Sequence, residues 1–450
     1  MASVNTPNKK RATKFTHEGA RATHGLSKAS ELQRTVSACL LWEDSFYEDG
    51  VSIADRIKTL VHATPIDVVG QMAVDLRDKH GIRHAPLLMV REMLRHPQLE
   101  MQPTLVQNTV SEVCVRPDDM CELLALYWGS NDGKRALSAQ LKKGLADAFC
   151  RYNEYQLAKW NRTKKEVTLK DILRIVHPKA PSKHFGEMWG RLAKDELATP
   201  NTWETRLSAG EDKKEVFTDL LKTEKLGGLA LLRNLRNMVD SNVDRSLVKQ
   251  ALKTHPFTRV LPFRFIAAAA AAPGYTPELS DALVRAAETL PKLDGLTHVV
   301  IDNSGSMGCG LSQRSDLRRV DAAIGMGILC ANVCEDVRIW LFSNDCTEVA
   351  AHKNLALFDV QKQHPMGGTD LERAVHTVFN ESGNAGGERL IVITDEQTWT
   401  NPTHQNRFMK SYLINIATFK HGVGYPSDGW SAHVDGFSER ILAYISSLEA

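Results

Sequence analysis

The sequence predicts a chain of two kinds: an all-α region of helical hairpins, then an α/β region built on a parallel sheet. Three observations predict this. From about Leu32 to Glu288 the apolar residues recur at helical spacing and strand patterns are scarce. Proline and glycine punctuate that stretch every ~20 residues, the rhythm of hairpins with short connections. After Pro291 short, wholly apolar strands alternate with amphipathic helices.

In chain order, "ELQRTVSACLLW" puts Leu32, Val36 and Leu40 on one helical face. Ile53, Ile57 and Leu60 repeat the pattern, followed by Ile66, Val69, Ala73 and Leu76. Breaks fall at Pro65, Pro86, Pro103, Pro117, Gly129 to Gly133, Pro178 and Pro181. No residue-level repeat stands out, so a helical solenoid is compatible with the pattern without being required by it. The alanines from Ala267 to Ala272 suit close helix packing. Beyond "ETLPKLDGLTH" come the strand "HVVID", a helix with the stripe Leu317, Val320, Ile324, Ile328 and Ala331, and the strand "VRIWLFS". The helix "TDLERAVHTVF", the strands "RLIVIT" and "YLINIAT", and a last helix burying Ile441, Tyr444, Ile445 and Leu448 complete the region. Apolar strands alternating with helices imply a parallel sheet covered on both faces, with ligands at the carboxyl ends of its strands.

The expected organisation is a flexible basic segment (1–28), a helical domain (29–290) and an α/β domain (291–450). No window approaches a membrane span, and the basic N-terminus lacks the apolar core of a secretory signal, so a cytoplasmic protein is expected. Eight cysteines in 450 residues, with no CxxC pair, exclude a disulfide scaffold and offer no zinc motif. Cys330 and Cys334, four apart on a predicted helix, are expected to act as small buried hydrophobes. Residues 1–290 hold 43 Lys and Arg against 35 Asp and Glu, whereas 291–450 hold 13 against 19. A basic part joined to an acidic part fits a polyanion-binding region coupled to something else.

The densest chemistry lies where the first strand ends, in "THVVIDNSGSMGCG". Asp302, Ser304 and Ser306 close that strand, Thr369 follows a double glycine in "HPMGGTDLERA", and Asp395 ends a later strand. Three hydroxyls and two carboxylates at one sheet edge form an all-oxygen set suited to a hard divalent cation such as Mg2+, or alternatively Mn2+ or Ca2+. The three hydroxyls can bind directly, with Asp302 and Asp395 holding waters or orienting them. So few direct anionic ligands leave a position open for a partner's carboxylate, as on an acidic protein ligand, or for a phosphate. The simpler alternative is that Asp302 and the serines only cap the following turn. Enzymatic readings fail: Ser304 stands where a dehalogenase-type phosphatase needs a second Asp, Gly-x-Ser-x-Gly and HExxH are absent, and "GSNDGKR" is not a P-loop. No catalytic residue is assigned.

Residues 295–450 resemble the von Willebrand factor A domain, a Rossmann-like fold whose metal-ion-dependent adhesion site is DxSxS plus Thr plus Asp; all five positions are present. In the helical region, Leu141 to Pro181 carries Lys142, Lys143, Lys159, Arg162, Lys164 and further cations, interleaved with Phe149, Tyr152, Tyr155 and Trp160. Charge with aromatics suits phosphate contact and base stacking, and equally a solvated helix face. Here "LAKWNRTKKEVTLKDILRIVHPKAP", "VSEVCVRPDDM", "ALLRNLRNM" and "HPF", with "GGTD" and "TDEQTW" further on, resemble the TROVE-domain Ro ribonucleoprotein family. The resemblance implies a ring of HEAT-like helical repeats followed by the A domain. It also implies binding of small noncoding Y-type RNA on the outer basic surface and of single-stranded 3′ ends of misfolded RNA. An exoribonuclease partner and a role in RNA quality control are implied too. Carried over, the RNA-binding positions are Lys159, Arg162, Lys164 and His177, with Arg233 and Asn234 matching a motif that packing or capping explains as readily; Lys142 and Lys143 join them as RNA-binding candidates from the basic stretch itself. The competing expectation is a protein–protein scaffold, solenoid plus A domain, working with an ATPase partner and no RNA.

Overall fold

The computed structural model describes residues 15–16, 18–22, 27–38, 50–79, 81–129, 136–161, 165–257, 260, 262–288, 290, 292–311, 317–383, 389–417, 422–436 and 440–449. A long helical region leads into a six-stranded sheet flanked by helices. The helices from Lys28–Ala38 to Lys183–Lys194 share one core, including Leu32, Ile57, Leu88, Val110, Leu145 and Trp189. Each of these side chains is worth about 1.5–3 kcal/mol when fully buried. The amphipathic spacing that predicts these helices is the spacing that fills this core.

A second core starts at helix Lys213–Lys222 and runs without a break into the sheet. It takes in Phe217, Leu235, Phe265 and Leu283 from helices, and Ile301 and Ile391 from strands. Helix Pro262–Ala271, which carries the alanine run, packs against helix Arg319–Val333 of the α/β region. Ala268 and Ala272 are buried there, and small side chains let the two backbones approach. The change from helical to α/β character falls between Glu288 and Leu293. It is a change of secondary structure inside one hydrophobic core.

The strands are β1 (Leu293–Asp302), β2 (Cys334–Phe342), β3 (Cys346–Val349), β4 (Arg389–Thr394), β5 (Lys410–Asn415) and β6 (Ala432–Asp435). Their order is β3-β2-β1-β4-β5-β6, parallel except for the antiparallel edge strand β3. Successive residues of β1 face opposite sides: Val299 and Ile301 enter the second core, and Val300 a third core with Trp340, Val392 and Leu413 under helix Leu371–Glu381. The short strands β3 and β6 were not visible as patterns. Three further expectations change. Cys334 begins β2 instead of sharing a helix with Cys330, Leu317 precedes a helix that starts at Arg319, and Leu448 is 47% exposed.

The chain also returns to its start. Helix Lys28–Ala38 packs on β6 at the far edge of the sheet. There Arg34 is ion-paired with Glu396, and its guanidinium donates to the Tyr425 hydroxyl at 2.9 Å. His433 lies 3.2 Å from Glu396 and 3.4 Å from Asp435, with its ring stacked on Tyr425. Gly422 lets the chain cross this cluster, since a Cβ there would lie 2.5 Å from Glu396 Oε2. This contact brings the first described helix against the last strand of the sheet. Residues 15–22, expected to be flexible, are tied in where described: Thr16 Oγ1 donates to the Thr398 carbonyl at 2.6 Å, and the Arg21 N–H donates to Asn401 Oδ1 at 2.9 Å. Backbone bonds explain why this basic stretch holds without a hydrophobic pattern.

Candidate metal centre and candidate nucleic-acid interface

Three segments meet at the carboxyl ends of β1 and β4. Asp302, the last residue of β1, accepts from the Ser304 N–H at 2.8 Å and from Thr394 Oγ1 at 2.5 Å. Ser304 and Ser306 place their hydroxyls 3.2 Å apart on the turn Gly305–Gly308. The Gly305 N–H donates to the Gly367 carbonyl at 2.7 Å, joining this turn to the double glycine before Thr369. Thr398 Oγ1 donates to the Thr369 carbonyl at 2.8 Å, joining the second segment to the loop after β4. These bonds bring the segments of all five predicted residues to one edge. Asp302, Ser304, Thr369 and Asp395 are buried, and Ser306 is half-buried.

Two carboxyl groups are buried together at this edge. Burial, then the charge of Asp395, push the Asp302 carboxyl above the usual carboxylate range. Arg319, at the start of its helix, pairs with Asp395 at 3.0 Å and compensates that carboxylate. Sequence spacing gave no sign of Arg319 or of Thr394. Among the described residues no three His, Cys, Asp or Glu side chains converge as metal ligands. Oriented hydroxyls beside two buried carboxylates fit a hard divalent ion and not a zinc-type site.

The basic candidates lie on the first helical core. Lys142 and Lys143 are exposed on helix Ala139–Phe149, and Lys159 is exposed on helix Glu154–Trp160. Helix Leu169–Val176 opens with a capping box, Thr168 with Asp171, and ends at His177. The left-handed backbone of His177, φ 49°, turns the chain and leaves its imidazole exposed at the helix C-terminus. Arg162 and Lys164 lie outside the described residues. Of the interleaved aromatics, Phe149 and Tyr152 are core residues, while Tyr155 is 51% exposed and Trp160 half-buried. Arg233 is exposed on the second core, near Arg264, whose pKa is lowered by burial and then by the Arg233 charge. Asn234 is buried beside it; its amide donates to the Ala230 carbonyl at 2.9 Å and its Oδ1 accepts from Asn237 at 3.0 Å. That side chain is used inside its own helix, as packing would have it.

The architecture is thus a long run of helices leading into a mostly parallel sheet with an oxygen-lined carboxyl edge. Residues 190–282 match the family model of the TROVE domain. Its fold matches the crystal structure of the Deinococcus radiodurans Ro (Rsr) protein with a TM-score of 0.63, over 94% of this chain and 100% of that one. At 16% identity this likeness is one of fold. Mouse telomerase protein component 1 is 22% identical over 248 residues, a match covering 36% of this chain and 9% of that protein. The chain thus spans a small fraction of that curated relative. Among the described residues no helix is long and apolar enough to cross a membrane.

Proposed function

We propose that this chain is an RNA-binding protein of Ro type, holding small noncoding Y-type RNA on its basic helical face and accepting single-stranded ends of misfolded RNA. On this reading it is a cytoplasmic scaffold in RNA quality control or processing, to which an exoribonuclease can be recruited. The observation that carries the reading is the set of exposed side chains Lys142, Lys143, Lys159 and His177 on helices of a Ro-like fold. Exposed Lys and His can neutralise phosphates, and each neutralised phosphate releases condensed counterions.

The test is a salt titration of structured-RNA binding by filter retention. Affinity falls steeply with salt, and Lys164→Ala with His177→Ser weakens it while the melting temperature holds. Affinity indifferent to salt and to both substitutions overturns the reading. Absorbance at 260 nm of the purified protein separates it from a scaffold working with an ATPase partner, because co-purifying RNA has no place in the latter.

The sheet-edge site is proposed to hold Mg2+, or Mn2+ or Ca2+ in its place, through Ser304, Ser306 and Thr369, with Asp302 and Asp395 orienting the set. Bound there, the ion would supply an electrophilic position for the carboxylate of an acidic protein ligand. Asp302 receives the Ser304 N–H and the Thr394 hydroxyl, which fix its carboxylate, and Arg319 fixes Asp395. The chain's own part is to bind and orient; no side chain is assigned a reacting role.

A further inference from the structure

One short segment, 394–401, serves two parts of the molecule at once. On one side it holds the proposed metal set. Thr394 Oγ1 donates to Asp302 at 2.5 Å, and Asp395 pairs with Arg319 at 3.0 Å and accepts from the Gln397 N–H at 3.2 Å. Thr398 Oγ1 donates to the Thr369 carbonyl at 2.8 Å. On the other side the segment holds the start of the chain. Glu396 is ion-paired with Arg34 of helix Lys28–Ala38 and accepts from the Gly424 N–H at 2.8 Å. The Thr398 carbonyl accepts from Thr16 Oγ1 at 2.6 Å and from the Ala20 N–H at 3.1 Å. Asn401 accepts from the Arg21 N–H at 2.9 Å and donates to the Arg21 carbonyl at 2.7 Å.

Asp395 and Glu396 are thus consecutive carboxylates, both fully buried, each held by a different arginine. The backbone of Glu396 is left-handed, φ 60°, a conformation that a residue with a side chain keeps only where its surroundings hold it. We infer that Arg34 is a positioning residue of the metal site, acting through Glu396 on Asp395 and Thr369, a reading that rests on the sheet edge binding a divalent ion. Arg34 supplies, from the helical region, positive charge that lets Glu396 stay buried in this turn. Without it the carboxylate loses that counter-ion in a poor dielectric, and the strained turn relaxes. Relaxation moves the Asp395 carboxylate one residue before it and the Thr398 hydroxyl that holds Thr369. Such coupling is reciprocal: whatever stabilises the ordered metal set strengthens the hold on helix Lys28–Ala38 by the same factor. The competing account is that β4 alone fixes Asp395, which leaves Arg34 a structural anchor with no effect on the site.

The experiment measures Mn2+ affinity by calorimetry on the full chain and on its Arg34→Met, Arg34→Lys and Leu145→Ala variants. Beside it, hydrogen exchange of residues 28–38 is followed in the unaltered chain with and without saturating Mn2+. Leu145 shares the first core with Leu32 and Val36, so Leu145→Ala loosens the helical region without touching the turn. Arg34→Met is expected to weaken Mn2+ binding about tenfold, within the usual range of coupling between sites. Arg34→Lys, which keeps the charge, recovers most of that loss, and Leu145→Ala leaves the affinity as it was. Mn2+ slows exchange of residues 28–38 by a similar factor, a readout that stands even where Arg34→Met fails to fold. Equal affinity in Arg34→Met and the unaltered chain overturns the inference. So does equal weakening by Leu145→Ala, which marks a general loosening of the fold. Mn2+ bound with no change in the exchange of residues 28–38 sinks the coupling and leaves the metal site standing. No Mn2+ bound by the unaltered chain removes the metal site itself, and the inference falls with it.

Discussion

The carboxyl edge of the sheet and the face of helices Ala139–Phe149, Glu154–Trp160 and Leu169–Val176 both carry charge, but in opposite settings. At the sheet edge the charged groups Asp302, Arg319, Asp395 and Glu396 are buried and engaged with protein groups; on the helices Lys142, Lys143, Lys159 and His177 stand in solvent. A buried charge is tied to the fold, because removing its partner strands an ion in a poor dielectric. An exposed charge costs the fold almost nothing and remains available to a ligand. Substitutions at the first region should therefore move stability, and substitutions at the second should move affinity alone.

The sharpest way to break this contrast is Glu396→Ala. Glu396 is fully buried and holds Arg34 of the first described helix and His433 of β6. Losing it leaves two cationic groups without their carboxylate and should cost about 3–5 kcal/mol in urea denaturation. A loss under about 1 kcal/mol, the range of an exposed pair, would mean that the cluster does not hold the first described helix to β6.

Metal binding comes next, and it sharpens the contrast inside the sheet edge itself. Ser304→Ala with Ser306→Ala removes two neutral hydroxyls and no charge. Mn2+ affinity read by calorimetry should fall at least about tenfold, while the urea midpoint barely moves. Unchanged affinity would assign the two hydroxyls to capping alone. On the helices, the triple change Lys142→Ala, Lys143→Ala and Lys159→Ala should weaken RNA binding by about tenfold at moderate salt and flatten its salt dependence by up to about three phosphate contacts. An unaltered slope would move the RNA off this face.

Legibility follows the same division. That Asp302, Ser304, Ser306, Thr369 and Asp395 share one sheet edge was legible because they sit at strand ends or behind a glycine pair, local features that fix their place. The cluster around Arg34 was not, since Arg34 and Tyr425 are 391 residues apart and each of its members is ordinary in its own neighbourhood. Asn234 shows the converse: a matching motif placed it among RNA contacts, yet its amide points into its own helix. Phe149 and Tyr152 fell in an aromatic-rich basic stretch whose composition does not say which rings face inward. Leu141, Leu145 and Ala148, spaced for one helical face, are buried with them. Strands β3 and β6, four residues each, are too short for alternation to register.

The smallest effect separates the electrostatics of the Arg34 cluster from its packing. Burial alone would lower the His433 pKa, but Asp435 and Glu396 outweigh it and raise the group to about 9. Burial alone would raise Glu396, but Arg34 and His433 outweigh it and hold it at about 2. The histidine's folded value lies above its ordinary one, so its contribution is complete below pH ~6.5 and is lost as pH rises through 9. The glutamate's folded value lies below its ordinary one, so its contribution is complete above pH ~4.5 and is lost only as pH falls through 2. The urea midpoint should therefore be highest near pH 6 and decline toward pH 9.5, by less than the Glu396→Ala loss. His433→Gln, which keeps a polar side chain without the charge, should flatten that decline and lower the plateau at pH 6. A decline that persists in His433→Gln would assign the pH dependence elsewhere and leave Arg34 with Glu396 as the pair that joins the two ends of the chain.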